Sequence, residues 1–388
     1  MAREFPAIED HGVVGDLHTV ALVCKDGTID FMCAPRFDSP PVFASLLDRT
    51  RGGSFELAPA LDGARLKQLY LPDTNVLLTR FLSAHGVAEI SDFMPVGETE
   101  RVRCVVRRVK AVRGEIAFRM RCAPRFGYGP AAHKVTGDDG YALFLPDGGD
   151  VAVRLLSTSP LTLRGGDAVA EFTLAQGRSA TFVMEVGDLA AESPAQAPHY
   201  AAEAFKRTTN YWRRWIGTST YKGRWRDEVN RSALVLKLLV SQPHGSLVAA
   251  PTFSLPEKLG GVRNWDYRYT WIRDAAFTLY SLLRLGMTEE TGAFIGWLEG
   301  LTHEQGETGP LQPLYRIDGG ADVEELELDW EGYRGSRPVR VGNGAEKQLQ
   351  LDIYGALLDS VYLYDKYGQP IAYDFWVRLA GLVEWVCE

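Results

Sequence analysis

The sequence predicts a multidomain chain, a β half followed by an α half, and three observations carry that prediction. Residues 1–195 are a succession of short apolar runs separated by glycine-containing turns, the pattern of an antiparallel β-sandwich. Residues 190–198 are rich in Ala, Ser, Gln and Pro, which suits a linker. After Gly223 the apolar residues recur at helical spacing as far as residue 388. The expected organisation is a β-sandwich domain over 1–195, a linker helix over 196–222 and a helical domain over 223–388.

The elements follow in order. Strands at 20–24 and 28–32 flank Lys25-Asp26-Gly27, a tight hairpin because glycine accepts a positive φ. Further strands are expected at 75–83, 87–94, 103–112, 116–122, 141–144, 151–156, 161–163, 168–174 and 180–186, with one short helical turn over 41–47. A helix over 200–216 places Phe205, Tyr211, Trp212 and Trp215 on one side. Five helices are expected after Gly223: 225–240, 275–285 closed by Gly286, 288–301 with Thr288 as N-cap, 345–367, and 371–388. The last carries Phe375, Trp376, Leu379, Leu382, Val383 and Val386 at helical spacing. The loop 302–343 between the third and fourth of these is of a length usually reserved for function in a compact domain.

Composition excludes several classes of partner. An apolar fraction of 46% and a charged fraction of 24% are those of a soluble globular protein. Net charge −8, with no stripe of Lys and Arg, argues against nucleic acid. The basic run 101–113 alternates with Val and Cys and reads as a strand with a charged outer face. The first residues lack the apolar core of a signal peptide, and the longest apolar run, 233–240, is too short to span a bilayer. Cytoplasmic location without membrane attachment is the expectation. Five cysteines at 24, 33, 104, 122 and 387 form no CxxC pair, which fits reduced thiols. Seven scattered histidines suggest no metal site, and no phosphate-binding glycine loop or Gly-x-Ser-x-Gly elbow occurs, so no cofactor is expected.

The most informative stretch is Gly261-Val-Arg-Asn-Trp-Asp-Tyr-Arg-Tyr-Thr-Trp-Ile-Arg-Asp274, which runs into the apolar residues 275–285. Aromatic and charged side chains at the entrance of a buried helix suit a sugar, whose C–H face packs on rings while its hydroxyls bond to charged groups. An interface loop with paired charges fits the same composition. Read whole, Arg263 to Ala275 resembles the signature of bacterial members of glycoside hydrolase family 15, glucoamylase-like proteins that include glucodextranases and trehalases. Residues 8–16, 35–40, 249–256, 311–319 and 331–343 also resemble family blocks, with His11, Pro313 and Arg316 as departures.

The resemblance implies an (α/α)6 toroid for the helical half, of which about five of twelve helices are counted here. It implies exo-hydrolysis of an α-glucosidic bond with inversion, without cofactor, on maltodextrin, isomalto-oligosaccharide or trehalose. It assigns Arg273 and Asp274 to the sugar on the non-reducing side, Tyr267 and Trp271 to an aromatic platform, and Arg337 to a loop beside the site. For Trp265, Asp266 and Arg340, packing and sugar contact are equally open. Arg36 and Asp38 read first as a hydrogen-bonded turn before Pro40.

Inverting hydrolysis takes a carboxylic acid and a carboxylate base about 6.5–9.5 Å apart. The family draws both from Glu residues, which the resemblance places beyond Glu388. Glu331, in the only Trp-Glu step, is a weak candidate for the acid. The expectation is therefore a truncated toroid that is inactive alone and self-associates through exposed apolar helix faces. The rival is a non-catalytic carbohydrate-binding protein or remnant.

Overall fold

The computed structural model describes residues 4–97, 102–129, 131–149, 151–189, 192–304 and 310–388. Arg101 of the basic run, residues 190–191 of the expected linker and residues 305–309 of the expected loop lie outside the described residues. The chain divides into two compact units, Met1–Arg214 with Trp330–Gly335, and Trp215–Asp329 with Ser336–Glu388.

The first unit is built on two eight-stranded antiparallel sheets. One runs His11–Gly15, Val20–Cys24, Thr28–Cys33, Ser54–Pro59, Ile116–Ala123, Asp167–Leu174, Thr162–Arg164, with Pro41–Phe43 beside Thr28–Cys33. The other runs His133–Asp138, Tyr141–Pro146, Ala152–Ser157, Ser179–Gly187, Val102–Arg113, Val87–Phe93, Leu77–Leu82, Arg65–Tyr70. Their alternating apolar residues meet in one core, in which Ile29, Phe55 and Leu57 of the first sheet cluster with Ile90, Val109 and Phe182 of the second. Burial of each large side chain contributes roughly 1.5–3 kcal/mol.

A buried charge ties the two sheets together. Arg107 is fully buried and donates from Nε to Asp92 (2.8 Å), from Nη1 to the Phe55 carbonyl (2.6 Å) and from Nη2 to the Gly27 carbonyl (2.5 Å). Burial raises the Asp92 pKa, with Arg107 opposing the shift. Gly27, at the expected hairpin, has φ +87°, and a Cβ there would meet the Leu57 carbonyl oxygen at 2.1 Å. Only glycine fits that turn.

The structure corrects the expected helical turn over 41–47. Pro41–Phe43 is a strand paired with Thr28–Cys33, and the chain turns only afterwards, with Leu47 N–H donating to the Ala44 carbonyl at 2.8 Å. Helix α1, Tyr200–Ile216, lays Tyr200, Ala204 and Phe205 on Phe93, Cys104, Val106 and Val183 of the second sheet.

The second unit holds α2 (Arg226–Leu238), α3 (Ile272–Arg284), α4 (Glu289–Glu304), α5 (Asp352–Tyr367) and α6 (Tyr373–Cys387). Ile272, Ala275 and Leu279 of α3 share a core with Phe294 and Leu298 of α4, Ile353 and Leu357 of α5, and Phe375 of α6. Gly286, with φ +83°, ends α3 as the sequence predicts. Helix α5 begins seven residues later than expected: Gly344–Lys347 is a separate 3-10 turn capped by the Asn343 side chain, and Leu349 and Leu351 are exposed. The apolar stripe of α6 divides. Phe375, Leu379 and Leu382 are buried, whereas Trp376 and Val383 are exposed beside Tyr362 on a groove of about 610 Å³. Trp225, expected inside the first helix, precedes α2 and is exposed. Among the described residues no helix is long and apolar enough to cross a membrane.

Candidate functional site

The stretch singled out in the sequence becomes a loop, a two-residue strand and a helix start. Ser254 N–H bonds to the Trp265 carbonyl (2.9 Å), Ala250 to Tyr267 (3.0 Å) and Ala249 to Tyr269 (3.0 Å), which stretches residues 265–269 along 249–254. Thr270–Trp271 then pairs with Leu314–Tyr315, and the Ile272 N–H reaches the Pro313 carbonyl at 3.1 Å. This places Tyr267 and Trp271 as neighbours, ring centroids 6.3 Å apart and tilted by 46°. Tyr269, Leu314 and Val323 pack behind them.

Immediately after Trp271 the chain enters α3, with Asp274 in its first turn, where the helix dipole favours a negative charge. The Arg273 guanidinium donates to Asp352, the first residue of α5, at 2.9 Å and lies 3.9 Å from Asp274 on its other side. These side chains are open to solvent: 41% for Arg273, 47% for Asp274 and 56% for Asp352. Partial burial nevertheless raises the Asp274 pKa, with Arg273 opposing the shift. Tyr267 is raised as well, by burial first and then by the charges of Glu257 and Asp274.

Among the described residues, the buried polar atoms without a hydrogen-bond partner at this place include Thr270 Oγ1, Trp271 Nε1, on a residue only 9% exposed, and Gln312 Oε1, next to the Pro313 carbonyl that receives Ile272. Buried donors and acceptors are nearly always satisfied, so an orphaned donor beside an aromatic platform marks a place where hydroxyls would fit.

The residues left open in the sequence have other partners. Asp266 and Arg268 are fully buried and paired to each other, and Arg268 stacks on Phe253 at 4.5 Å. The Asp266 carboxylate also accepts from Gly342 N–H at 3.1 Å, and Asn343 Nδ2 bonds to the Asp266 carbonyl at 3.1 Å. Arg340 lies over the Trp265 ring at 4.8 Å, is ion-paired with Glu325 and donates from Nη2 to Glu327 at 3.2 Å. Trp265, Asp266 and Arg340 thus fasten the loop 336–343 to the platform. Arg337 sits in that loop with an exposed side chain. Arg36 and Asp38 form a local turn, with Arg36 Nε 3.2 Å from the buried Asp38 carboxylate.

Glu331 belongs to the first unit, where it makes a two-pronged ion pair with Arg49. Asp352 and Gln312 went unnoticed in the sequence. Asp352 stands among charges of ordinary appearance, and only the packing of α5 beside α3 brings it to Arg273.

Comparison with known proteins places these residues in a family. The profile of Glycosyl hydrolases family 15 matches residues 223–388, and that of the Trehalase-like, N-terminal family matches residues 1–147. A trehalase of Thermoplasma volcanium is 35% identical over 391 residues, covering 98% of this chain and 61% of its own length. A trehalase of Mycolicibacterium smegmatis is 34% identical over 416 residues, covering 99% and 61% respectively. The chain therefore spans about three fifths of the length of these curated relatives. Among solved structures, a bacterial glucoamylase complexed with acarbose superposes with a TM-score of 0.60 at 11% identity, over 99% of this chain and 66% of that one. That likeness shows the fold, N-terminal antiparallel sheets followed by helices of a toroid. With its two halves matched in turn, the chain belongs to glycosyl hydrolase family 15 and carries a trehalase-like N-terminal region.

Proposed function

We propose that residues 223–388 supply the sugar-binding half of an α-glucosidase site, with Tyr267 and Trp271 under the ring and Arg273, Asp274 and Arg337 on its hydroxyls. The observation that carries this reading is the unpartnered, nine-tenths buried Trp271 N–H beside Tyr267, next to an Arg–Asp pair that is not closed off by the protein. The reaction it serves is hydrolysis of an α-glucosidic bond with inversion, trehalose and short maltodextrins being the substrates to test first. The trehalase names of the relatives favour trehalose.

Hydrolysis needs a general acid and a base on opposite sides of the bond. Among the described residues, the carboxylates gathered at Arg273 are Asp274 and Asp352, both on one guanidinium, and Glu331 is engaged by Arg49. The chain of residues 1–388 accordingly binds α-glucosides without turning them over. The test is a panel of maltose, isomaltose and trehalose assayed for glucose release beside calorimetric titration. Binding without turnover is the expected result. Turnover abolished by Glu331→Gln would make that Glu the acid, and absence of binding to every sugar would end the reading.

A further inference from the structure

We propose that Gln312 is a specificity-determining sugar contact: its side-chain carbonyl and the Trp271 indole N–H hold one hydroxyl of the α-glucoside between them. The proposal rests on the reading of Tyr267 and Trp271 as a sugar platform and adds a polar contact at the platform's edge. Both residues belong to the second unit.

The placement of Gln312 follows from the chain around it. A proline ring clashes with the residue before it in the helical region, which favours an extended backbone at Gln312, ahead of Pro313. The Gln312 N–H donates to Tyr315 Oη at 2.8 Å, and the Leu311 N–H to Tyr354 Oη at 2.9 Å. The Pro313 carbonyl accepts from Ile272, and Trp271 stands across from Leu314. Along this run the side chains divide between two cores. Leu311 and Tyr315 pack among the helices, with Ile272, whereas Leu314 packs with Trp271, Tyr269 and Val323. Alternation therefore gives Gln312 the side of Leu314 and Trp271. It is the diagonal neighbour of Trp271 in this pairing, about 7–8 Å away, a separation that long side chains span.

Trp271 Nε1 and Gln312 Oε1 are both buried, and neither has a partner among the described residues. The first can only donate and the second can only accept. Sharing a side without bonding to each other, they are complementary to a group that accepts from one and donates to the other. A sugar hydroxyl does both through a single oxygen, whereas an ether oxygen or a fluorine only accepts. The indole N–H lies in the plane of its ring, so the hydroxyl it meets sits at the edge of the platform rather than over its face. Thr270 Oγ1 lies on the opposite side, across from Tyr315, and takes no part. A sugar lacking the shared hydroxyl leaves both buried groups unmet, and that is the source of the selectivity.

The test is calorimetric titration of the full chain with trehalose and maltose, then with singly deoxy and singly fluorinated analogues of whichever binds. Melting curves run in parallel. At one hydroxyl position the deoxy sugar should bind roughly tenfold to a hundredfold more weakly than the parent. The fluorinated sugar at that position still accepts from Trp271 but cannot donate to Gln312, and should lose about threefold to tenfold. Gln312→Met keeps the length and removes the acceptor. It should bind the parent and that fluorinated sugar equally and melt no lower, since it leaves no unmet buried oxygen. Trp271→Phe should keep the preference for hydroxyl over fluorine. A Gln312 with only a structural role would weaken every analogue by one common factor when changed to Met. That result would overturn the proposal, as would fluorinated sugars that bind the unmutated chain as tightly as the parent at every position. In either case the platform stands and the Gln312 contact alone falls. If the unmutated chain binds neither trehalose nor maltose, the platform falls and the contact with it.

Discussion

Two Arg–Asp couples lie within nine residues of one another, and the protein treats them in opposite ways. In the first, both Asp266 oxygens are filled: Oδ1 by Arg268 N–H (3.1 Å) and Nε (2.9 Å), Oδ2 by Arg268 Nη2 (2.6 Å) and Gly342 N–H (3.1 Å). Both side chains are completely buried. In the second, Arg273 stands 3.9 Å from Asp274, both about half exposed, with the unpartnered Trp271 N–H nearby. The same residue types therefore serve architecture in one couple and stay about half exposed in the other, where Arg273 also donates to Asp352. What separates them is how completely their hydrogen-bonding capacity is filled by the chain itself.

That contrast breaks most visibly at Asp266. Asp266→Ala would leave the Arg268 cation buried and unpaired and free the Gly342 N–H, a loss on the order of 3–5 kcal/mol. Urea unfolding followed by helix signal should show it, and a loss below about 1 kcal/mol would mean that water reaches the pair. Next comes Trp271→Ala, which removes a wall packed against Tyr269 and Leu314 as well as the proposed platform. A cost of roughly 3 kcal/mol is expected together with lost sugar binding. Unchanged melting and unchanged binding together would take Trp271 out of both roles. The smallest effect is a matter of pH. Because burial raises the Asp274 pKa above its ordinary 3.8, the carboxylate proposed to accept sugar hydroxyls is lost at a higher pH than for a free Asp. Affinity should fall as pH drops through that raised value, and Asp274→Asn should remove the dependence.

How much of this was legible in the sequence depended on whether the cause was local. The Lys25–Gly27 hairpin, the end of α3 at Gly286 and the aromatic–charged loop were readable because turn residues and helical spacing act over a few positions. Ser54–Pro59 and Arg65–Tyr70 were missed. One ends in Pro59, and the other is an edge strand whose first three residues are all exposed, so neither alternates cleanly. Residues 41–47 looked helical, and pairing of Pro41–Phe43 with Thr28–Cys33 overrode that propensity. In the site, Tyr267, Trp271 and Asp274 could be named from the motif. The sequence could not divide Asp266 from Asp274, since the fourth donor to Asp266 comes from Gly342, 76 residues away. Asp352 likewise meets Arg273 across 79 residues.

The measurement that tests the account most directly is calorimetric titration of trehalose and maltose into the chain and into its Asp274→Asn variant, with melting curves run in parallel. A carboxylate bonded to sugar hydroxyls is worth about 1.5–3 kcal/mol, so affinity should fall roughly tenfold to a hundredfold. The melting temperature should hold, because the Asp274 side chain is 47% exposed and fills no buried position. Equal affinities for the two proteins would contradict the account and return the Arg273–Asp274 couple to the surface as an ordinary ion pair.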